Sequence, residues 1–198
     1  TYEAIDPVRF IGNHSSGLMG VEIARAFADQ GAEVTLVLGP SNISPNRKNI
    51  NVMPVTSAKE MYDAVMTFFP KADIAVLSAA VADFRPEIVA DQKIKKNPDT
   101  DTITLKLVKT EDILKTVGSQ KKDNQIVVGF ALETENGISN AKKKLHTKNI
   151  DFIVLNEMNE SGVRFKTKTN KITIINKNDE IVEFDLKPKS EVALDVLN

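Results

Sequence analysis

The sequence predicts an α/β fold: a Rossmann-like, mostly parallel sheet with helices on both faces and a small antiparallel hairpin at its C-terminal side. Three observations lead there. Short apolar runs of strand character alternate with amphipathic helical segments between residues 21 and 155. A polar, glycine-bracketed loop, Gly12-Asn13-His14-Ser15-Ser16-Gly17, separates an extended start from the first helix. After Asn156 the character changes, and two segments alternate β-branched with polar residues.

The elements follow in order. Val21 to Gln30 carries apolar residues at 21, 23, 24, 27 and 28, one buried helical face, and Gly31 is placed as its stop. Glu33 to Leu38 is an apolar run suited to a buried parallel strand, ended by Gly39-Pro40. Residues 42–49 form a polar loop, and Ile50 to Val55 a second strand. Ser57 with Glu60 is a capping-box pattern opening a helix to about Phe69. Asp73 to Ser78 is a third strand, followed by Ala79-Ala80-Val81-Ala82-Asp83-Phe84. Thr102 to Val108 reads as a strand leading into Thr110-Glu111-Asp112, a helix start, with the helix running to about Val117. Gln125 to Ala131 is a strand, Gly137 to Lys148 a basic helix and Asp151 to Leu155 a strand. Lys171 to Asn176 and Ile181 to Asp185 form a hairpin across Lys177-Asn178-Asp179-Glu180. A last helix starts near Lys189. The chain thus reads as a single domain, with an α/β core over 1–156 and the hairpin and final helix over 157–198.

Composition narrows the function classes. The 198 residues have 41% hydrophobic content, enough for one core. The formal net charge is −1, which gives no bulk attraction to nucleic acid or membrane. Cysteine is absent, which removes disulfides, thiolate metal sites and a cysteine nucleophile. His14 and His146 are the only histidines, too few for a histidine-rich metal site. No apolar run approaches the roughly 20 residues of a membrane span, and no signal peptide is visible, so a cytoplasmic protein is expected. The first residue is Thr1, not Met, which suggests a piece of a longer protein.

In an open α/β sheet, ligands bind beyond the carboxyl ends of the strands. Asn13, the 79–84 loop, Lys109-Thr110 and Phe130-Ala131 all follow apolar runs. The opening loop could turn several backbone N–H groups toward a phosphate, with a helix N-terminus behind it. It could equally be a plain N-cap made by Ser15 or Ser16. It is not the nucleoside-triphosphatase P-loop, because no Lys-Ser/Thr pair follows its last glycine. Two lysine clusters, residues 93–96 and residues 142–148, are either solvated surface or phosphate binders. Lys144 and Lys148, four residues apart, share a helix face. Thr110 suffices as a helix cap, although backbone N–H groups there could also meet a ligand. Asp83 could hold a divalent cation or a ribose hydroxyl, or simply shape a turn. His14 reads as a hydrogen-bonding loop residue and His146 as a surface residue. A nicotinamide dehydrogenase is disfavoured. The strand after the first helix ends Leu36-Val37-Leu38-Gly39-Pro40 without the acid that holds a ribose, and no Tyr-x-x-x-Lys pair exists, since Tyr62 is followed four residues on by Met66.

Taken together, Asp6-Pro7-Val8-Arg9-Phe10-Ile11-Gly12-Asn13-His14-Ser15-Ser16-Gly17, Ala79 to Phe84, Lys93-Ile94-Lys95-Lys96, Val108 to Ile113, Gly129 to Thr134 and Lys148-Asn149-Ile150-Asp151 resemble bacterial phosphopantothenoylcysteine synthetase, in order, over nearly the whole chain. Gly12 stands where that family often has Ser. The resemblance implies a two-step ligation in coenzyme A synthesis. The carboxylate of 4′-phosphopantothenate attacks the α-phosphate of CTP, giving an acyl-cytidylate and pyrophosphate. The amine of L-cysteine then displaces CMP and forms the amide. No side-chain nucleophile is needed, which fits a chain without cysteine.

Carried over by position, the resemblance implies a CTP site made by Leu77, Ser78, Ala79, Asp83, Lys93, the turn Lys109-Thr110-Glu111-Asp112, Phe130, Lys144 and Lys148. Asp83 would sit near the nucleotide and its cation, Mg2+. Lys93 would stabilise the pentacoordinate α-phosphate, and Asn13 would hold the acyl-cytidylate while cysteine attacks. The Ala-Val-Ala-Asp-Phe block belongs to the branch that prefers CTP to ATP. The resemblance further implies a homodimer, with the hairpin near 170–185 as a pairing edge, and fusion to a flavin-dependent decarboxylase domain. The family also has a strand just before the position of Thr1, which implies a sheet short of that strand here. The competing reading is a non-catalytic Rossmann-type nucleotide-binding domain.

Overall fold

The computed structural model describes residues 1–96, 101–157 and 168–198. It opens with an antiparallel hairpin, β1 (Tyr2–Ala4) and β2 (Phe10–Gly12). Asp6 closes its turn: one carboxylate oxygen accepts the backbone N–H groups of Val8 and Arg9, both at 2.9 Å. The rings of Tyr2 and Phe10 stack across the strands at 4.0 Å. Helix α1 (Leu18–Asp29) follows and stops at Gly31, whose φ of 92° only glycine adopts freely. Strands β3 (Val34–Leu38) and β4 (Ile50–Pro54) pair in parallel. Helix α2 (Ala58–Phe68) has both bonds of the expected capping box, Ser57 accepting from the Glu60 N–H and Glu60 reaching back to the Ser57 N–H. Next come β5 (Ile74–Leu77), β6 (Phe84–Pro86), β7 (Leu107–Lys109), α3 (Ile113–Gln120), β8 (Ile126–Glu133), α4 (Gly137–Thr147) and β9 (Phe152–Glu157). The last part holds β10 (Thr169–Asn170), β11 (Ile172–Asn176), β12 (Ile181–Glu183), β13 (Lys187–Pro188) and α5 (Lys189–Leu197).

The α/β class holds, but the main sheet is mixed rather than mostly parallel. Its order is β12-β11-β9-β8-β5. β5, β8 and β9 run parallel, while β11 lies antiparallel against β9 and β12 antiparallel against β11. The C-terminal hairpin therefore continues the core sheet instead of hanging from it. Within the 157–198 segment, residues 158–167 lie outside the described residues. A second expectation changes more. The Thr102–Val108 strand shrinks to β7, which pairs antiparallel with β6 outside the parallel sheet. Two of its apolar residues, Ile103 and Leu107, stay exposed.

Period-two alternation divides the sheet into two faces. On one face Val127, Ala131, Ile153 and Leu155 pack against α3 and α4 through Ile113, Val117, Ala141 and Leu145. On the other, Val76, Val128, Phe130 and Val154 pack against α1 and α5 through Met19, Ile23, Val192 and Ala193. Among the described residues no ladder joins β3 to β5. Both strands line one cavity of about 1550 Å3 that continues from the space between them to the carboxyl ends of the strands.

Candidate active site

Every site residue expected from the sequence, except Lys93, lines this single cavity. The strand ends put them there. Leu77 ends β5, Lys109 ends β7, and Phe130 lies in the C-terminal half of β8.

The opening loop enters the site through Asn13, whose Nδ2 donates to the Val81 carbonyl at 2.9 Å. Asn13 is not among the positive-φ residues, so its amide is there for the bond and not for a strained turn. The Ser15 or Ser16 N-cap does not form. Gly17 occupies that position at φ 76° with no side-chain cap. Ser15 and Ser16 instead accept from the N–H groups of Gly17 and Leu18, both at 3.3 Å. The first turn of α1 faces the cavity, its first N–H held by Ser16 Oγ and no side chain capping from Gly17.

Opposite stands the 79–84 loop. The Thr110 hydroxyl donates to the Ala82 carbonyl at 2.7 Å, and its N–H donates to the Asp83 carbonyl at 3.0 Å. Thr110 thus splices β7 to this loop. The cap of α3 is Asp112, which accepts the Lys115 N–H at 2.9 Å. The same Asp112 pairs with the Lys148 ammonium. Burial pushes its pKa up, but the bonds from Lys148 and the Lys115 N–H outweigh this and hold it below the usual carboxylate value. Lys144 lies 3.7 Å from Glu133. The lysine cluster lacks acidic neighbours in sequence, and the fold brings them from β8 and from the cap of α3.

The two faces of the sheet separate the expected residues. Lys144 and Lys148 extend α4 on one face, whereas Phe130 packs on the other, in contact with the α1 and α5 clusters. Asp83 is exposed at the cavity wall. No group of three acidic or histidine side chains able to hold a metal exists among the described residues. A Mg2+ held mainly by substrate phosphates needs only one or two protein carboxylates, which a single Asp83 at the cavity wall would supply.

Lys93 is exposed and outside the cavity lining. Its segment is held by the opening hairpin. The buried Asp6 accepts the Ile94 N–H at 3.1 Å, and Arg9, bound to the same carboxylate through Nε, donates to the Ile94 carbonyl at 3.0 Å. Arg9 and the backbone bonds hold the Asp6 carboxyl far below its ordinary range. The sequence reading missed this latch. The Asp-Pro-Val-Arg spacing announces the local turn, but the partner 88 residues away is visible only in the fold. His146 is on the surface as expected, 3.1 Å from Asp179.

The sequence profile of the DNA/pantothenate metabolism flavoprotein C-terminal domain matches residues 1–198. The coenzyme A biosynthesis bifunctional protein CoaBC of Haemophilus influenzae is 46% identical over 198 residues, covering 100% of this chain and 48% of that protein. The Bacillus subtilis protein of the same name is 42% identical over 197 residues, again covering 100% and 48%. A protein from an unknown prokaryotic organism named cysteine/cysteine sulfinic acid decarboxylase is 52% identical over 197 residues, covering 100% and 54%. The chain thus spans about half the length of the curated relatives it matches. The crystal structure of the C-terminal domain of a CoaBC protein superposes with a TM-score of 0.82 at 39% identity, covering 100% of this chain and 87% of that one. A Cab2 mutant in complex with phosphopantothenate-cysteine shares the fold at a TM-score of 0.73 and 17% identity, covering 100% and 82%. No helix among the described residues is long and apolar enough to cross a membrane. By profile, relatives and fold, the chain belongs to the DNA/pantothenate metabolism flavoprotein C-terminal domain family.

Proposed function

We propose that this chain is a phosphopantothenate–cysteine ligase that activates 4′-phosphopantothenate with CTP and joins it to L-cysteine. The observation that carries this is the convergence of Asn13, Asp83, the 109–112 turn, Lys144 and Lys148 on one cavity at the strand ends. The relationship to CoaBC proteins supports it.

Two anionic reactants must meet there. Lys144 and Lys148 offset the charge of the triphosphate, and Asp83 would hold a Mg2+ bound by the phosphates, which would supply further charge neutralisation. The carboxylate oxygen forms a bond to the α-phosphorus as the bond to pyrophosphate breaks. The cysteine amine then bonds to the acyl carbon, loses a proton, and CMP leaves with the electron pair. Positioning and charge stabilisation suffice, so no side-chain nucleophile takes part. CTP is expected to far exceed ATP, as the resemblance of the Ala79–Phe84 block to the CTP-preferring branch implies. A homodimer is also proposed; β12 is the outermost strand of the sheet, and its Ile181 and Val182 are exposed. Fusion to a flavin-dependent decarboxylase domain would account for the relatives' extra length.

The test is pyrophosphate release by the purified protein, which must require phosphopantothenate and CTP together. CTP binding without pyrophosphate release would favour a non-catalytic nucleotide-binding domain. Carbon dioxide release from cysteine or cysteine sulfinate by this chain alone would place the decarboxylase chemistry named for one relative here instead.

A further inference from the structure

We propose that Glu133 is a resident counter-ion of the nucleotide site. It holds Lys144 while the site is empty, yields it to the incoming triphosphate, and so keeps CTP and pyrophosphate from binding too tightly to leave. This rests on the ligase reading above.

Glu133 is the last residue of β8, two residues beyond Ala131, so the strand period puts its side chain on the α3/α4 face of the sheet. Its carboxylate meets α4 there twice. One oxygen accepts from Asn140 Nδ2 at 3.1 Å, and the other lies 3.7 Å from the Lys144 ammonium. Asn140 and Lys144 are four residues apart and share a helix face, so a single carboxylate spans one turn of α4. The bond from Asn140 turns the second oxygen toward Lys144.

At 3.7 Å the contact with Lys144 is Coulombic and not a hydrogen bond. The N–H donors of Lys144 are therefore not committed to Glu133. Lys144 lines the cavity and Glu133 does not, so the acid stands behind the cation. The two side chains are 34% and 21% exposed. At such a place a carboxylate attracts the ammonium modestly and repels a phosphate by a similar amount. A contact without a hydrogen bond does not fix the long lysine side chain, so charge and not ordering decides its effect. Asp112 pairs with Lys148 in turn, but it also caps α3. The empty site thus sets two carboxylates against its two ammonium groups, which suits a site that must release pyrophosphate after binding a triphosphate. Glu133 caps no helix, so its charge can be removed without loosening a helix end.

Glu133→Gln removes the charge and keeps an oxygen for Asn140. Calorimetric titration of the full-length protein should show CTP binding about threefold to tenfold tighter than to the wild type, the worth of a partly exposed ion pair together with the repulsion it removes. Pyrophosphate should become a stronger inhibitor by a similar factor, and added salt should narrow both differences. In a Lys144→Gln background the same substitution should have a much smaller effect, since Glu133 acts through Lys144. Unchanged or weaker CTP binding by Glu133→Gln overturns the proposal, as does an equal effect in both backgrounds. A wild type that releases pyrophosphate yet gains no CTP affinity from Glu133→Gln overturns the counter-ion and leaves the ligase reading intact. A wild type that binds no CTP removes both.

Discussion

Gly118 of α3 lies against the backbone of Lys148 so closely that a Cβ at position 118 would overlap the Lys148 carbonyl oxygen. The neighbouring Asn149, at φ 52°, seals the seam by donating from Nδ2 to the Gly118 carbonyl at 2.9 Å. The end of α4, and with it the Lys148 ammonium, is therefore placed by a backbone contact with α3. Alanine is the better helix former by about 1 kcal/mol. Overpacking against rigid backbone costs more, about 1–3 kcal/mol. Gly118→Ala is expected to lower the melting temperature and to weaken CTP binding, because Lys148 moves with the strained seam. A melting temperature at or above the wild-type value would contradict this.

Asp112 has two duties that substitution can separate. Asp112→Asn keeps an oxygen for the Lys115 N–H but loses the charge that holds Lys148. Asp112→Ala loses both, and removal of the cap costs about 1 kcal/mol, or roughly 2–4 °C in a protein of this size. The carboxyl of Asp112 is depressed in the fold. Its stabilising contribution is therefore complete above the unfolded carboxylate pKa, about 3.9, and is lost as pH falls through the lower folded value. Melting curves of wild type and Asp112→Asn should differ by a constant amount above about pH 5 and converge below about pH 4. A gap that widens on acidification would be the wrong sign.

Asn13→Asp replaces the amide that donates to Val81 with a carboxylate facing a carbonyl oxygen. The opening loop should lose this tie, and the added charge should repel an acyl-phosphate. Cytidylation is expected to continue while the cysteine step slows, so the mixed anhydride of phosphopantothenate and CMP accumulates. Mass detection of the anhydride, with cysteine present, checks this. Full product formation without the intermediate would take Asn13 out of the mechanism.

Lys93→Gln is expected to depress acyl-cytidylate formation by about 100- to 1000-fold, the usual loss when a group stabilising developing charge is removed. The fold should survive, because Lys93 is exposed. Asp6→Ala should free the same segment from the opening hairpin. Hydrogen exchange at the Ile94 amide, which Asp6 accepts at 3.1 Å, should then speed up markedly. Unchanged protection at Ile94 would mean that the latch does not hold the segment.

Elements with a local cause were legible in the sequence. The capping box of α2 depends on two residues three apart, Gly31 ends α1 through its own φ, and β8 and β9 are apolar enough to be buried whatever surrounds them. The site was legible in a coarser way, because ligands of an α/β sheet gather at strand ends and the residues there are polar. The rest needed distant partners. The hairpin β11–β12 alternates as an antiparallel pair should, yet nothing local says that it extends the core sheet through β9. Thr110 and Asp112 are both good caps by type, and only the bond from Thr110 to Ala82 leaves the cap to Asp112. The lysines of α4 showed no acidic neighbours along the chain, but Glu133 and Asp112 reach them across the fold. Periodicity and capping are interactions over a few residues, so sequence determines them. The latch from Asp6 to Ile94 and the seam from Gly118 to Lys148 exist only once segments 30 or more residues apart pack together, and tertiary structure alone decided them.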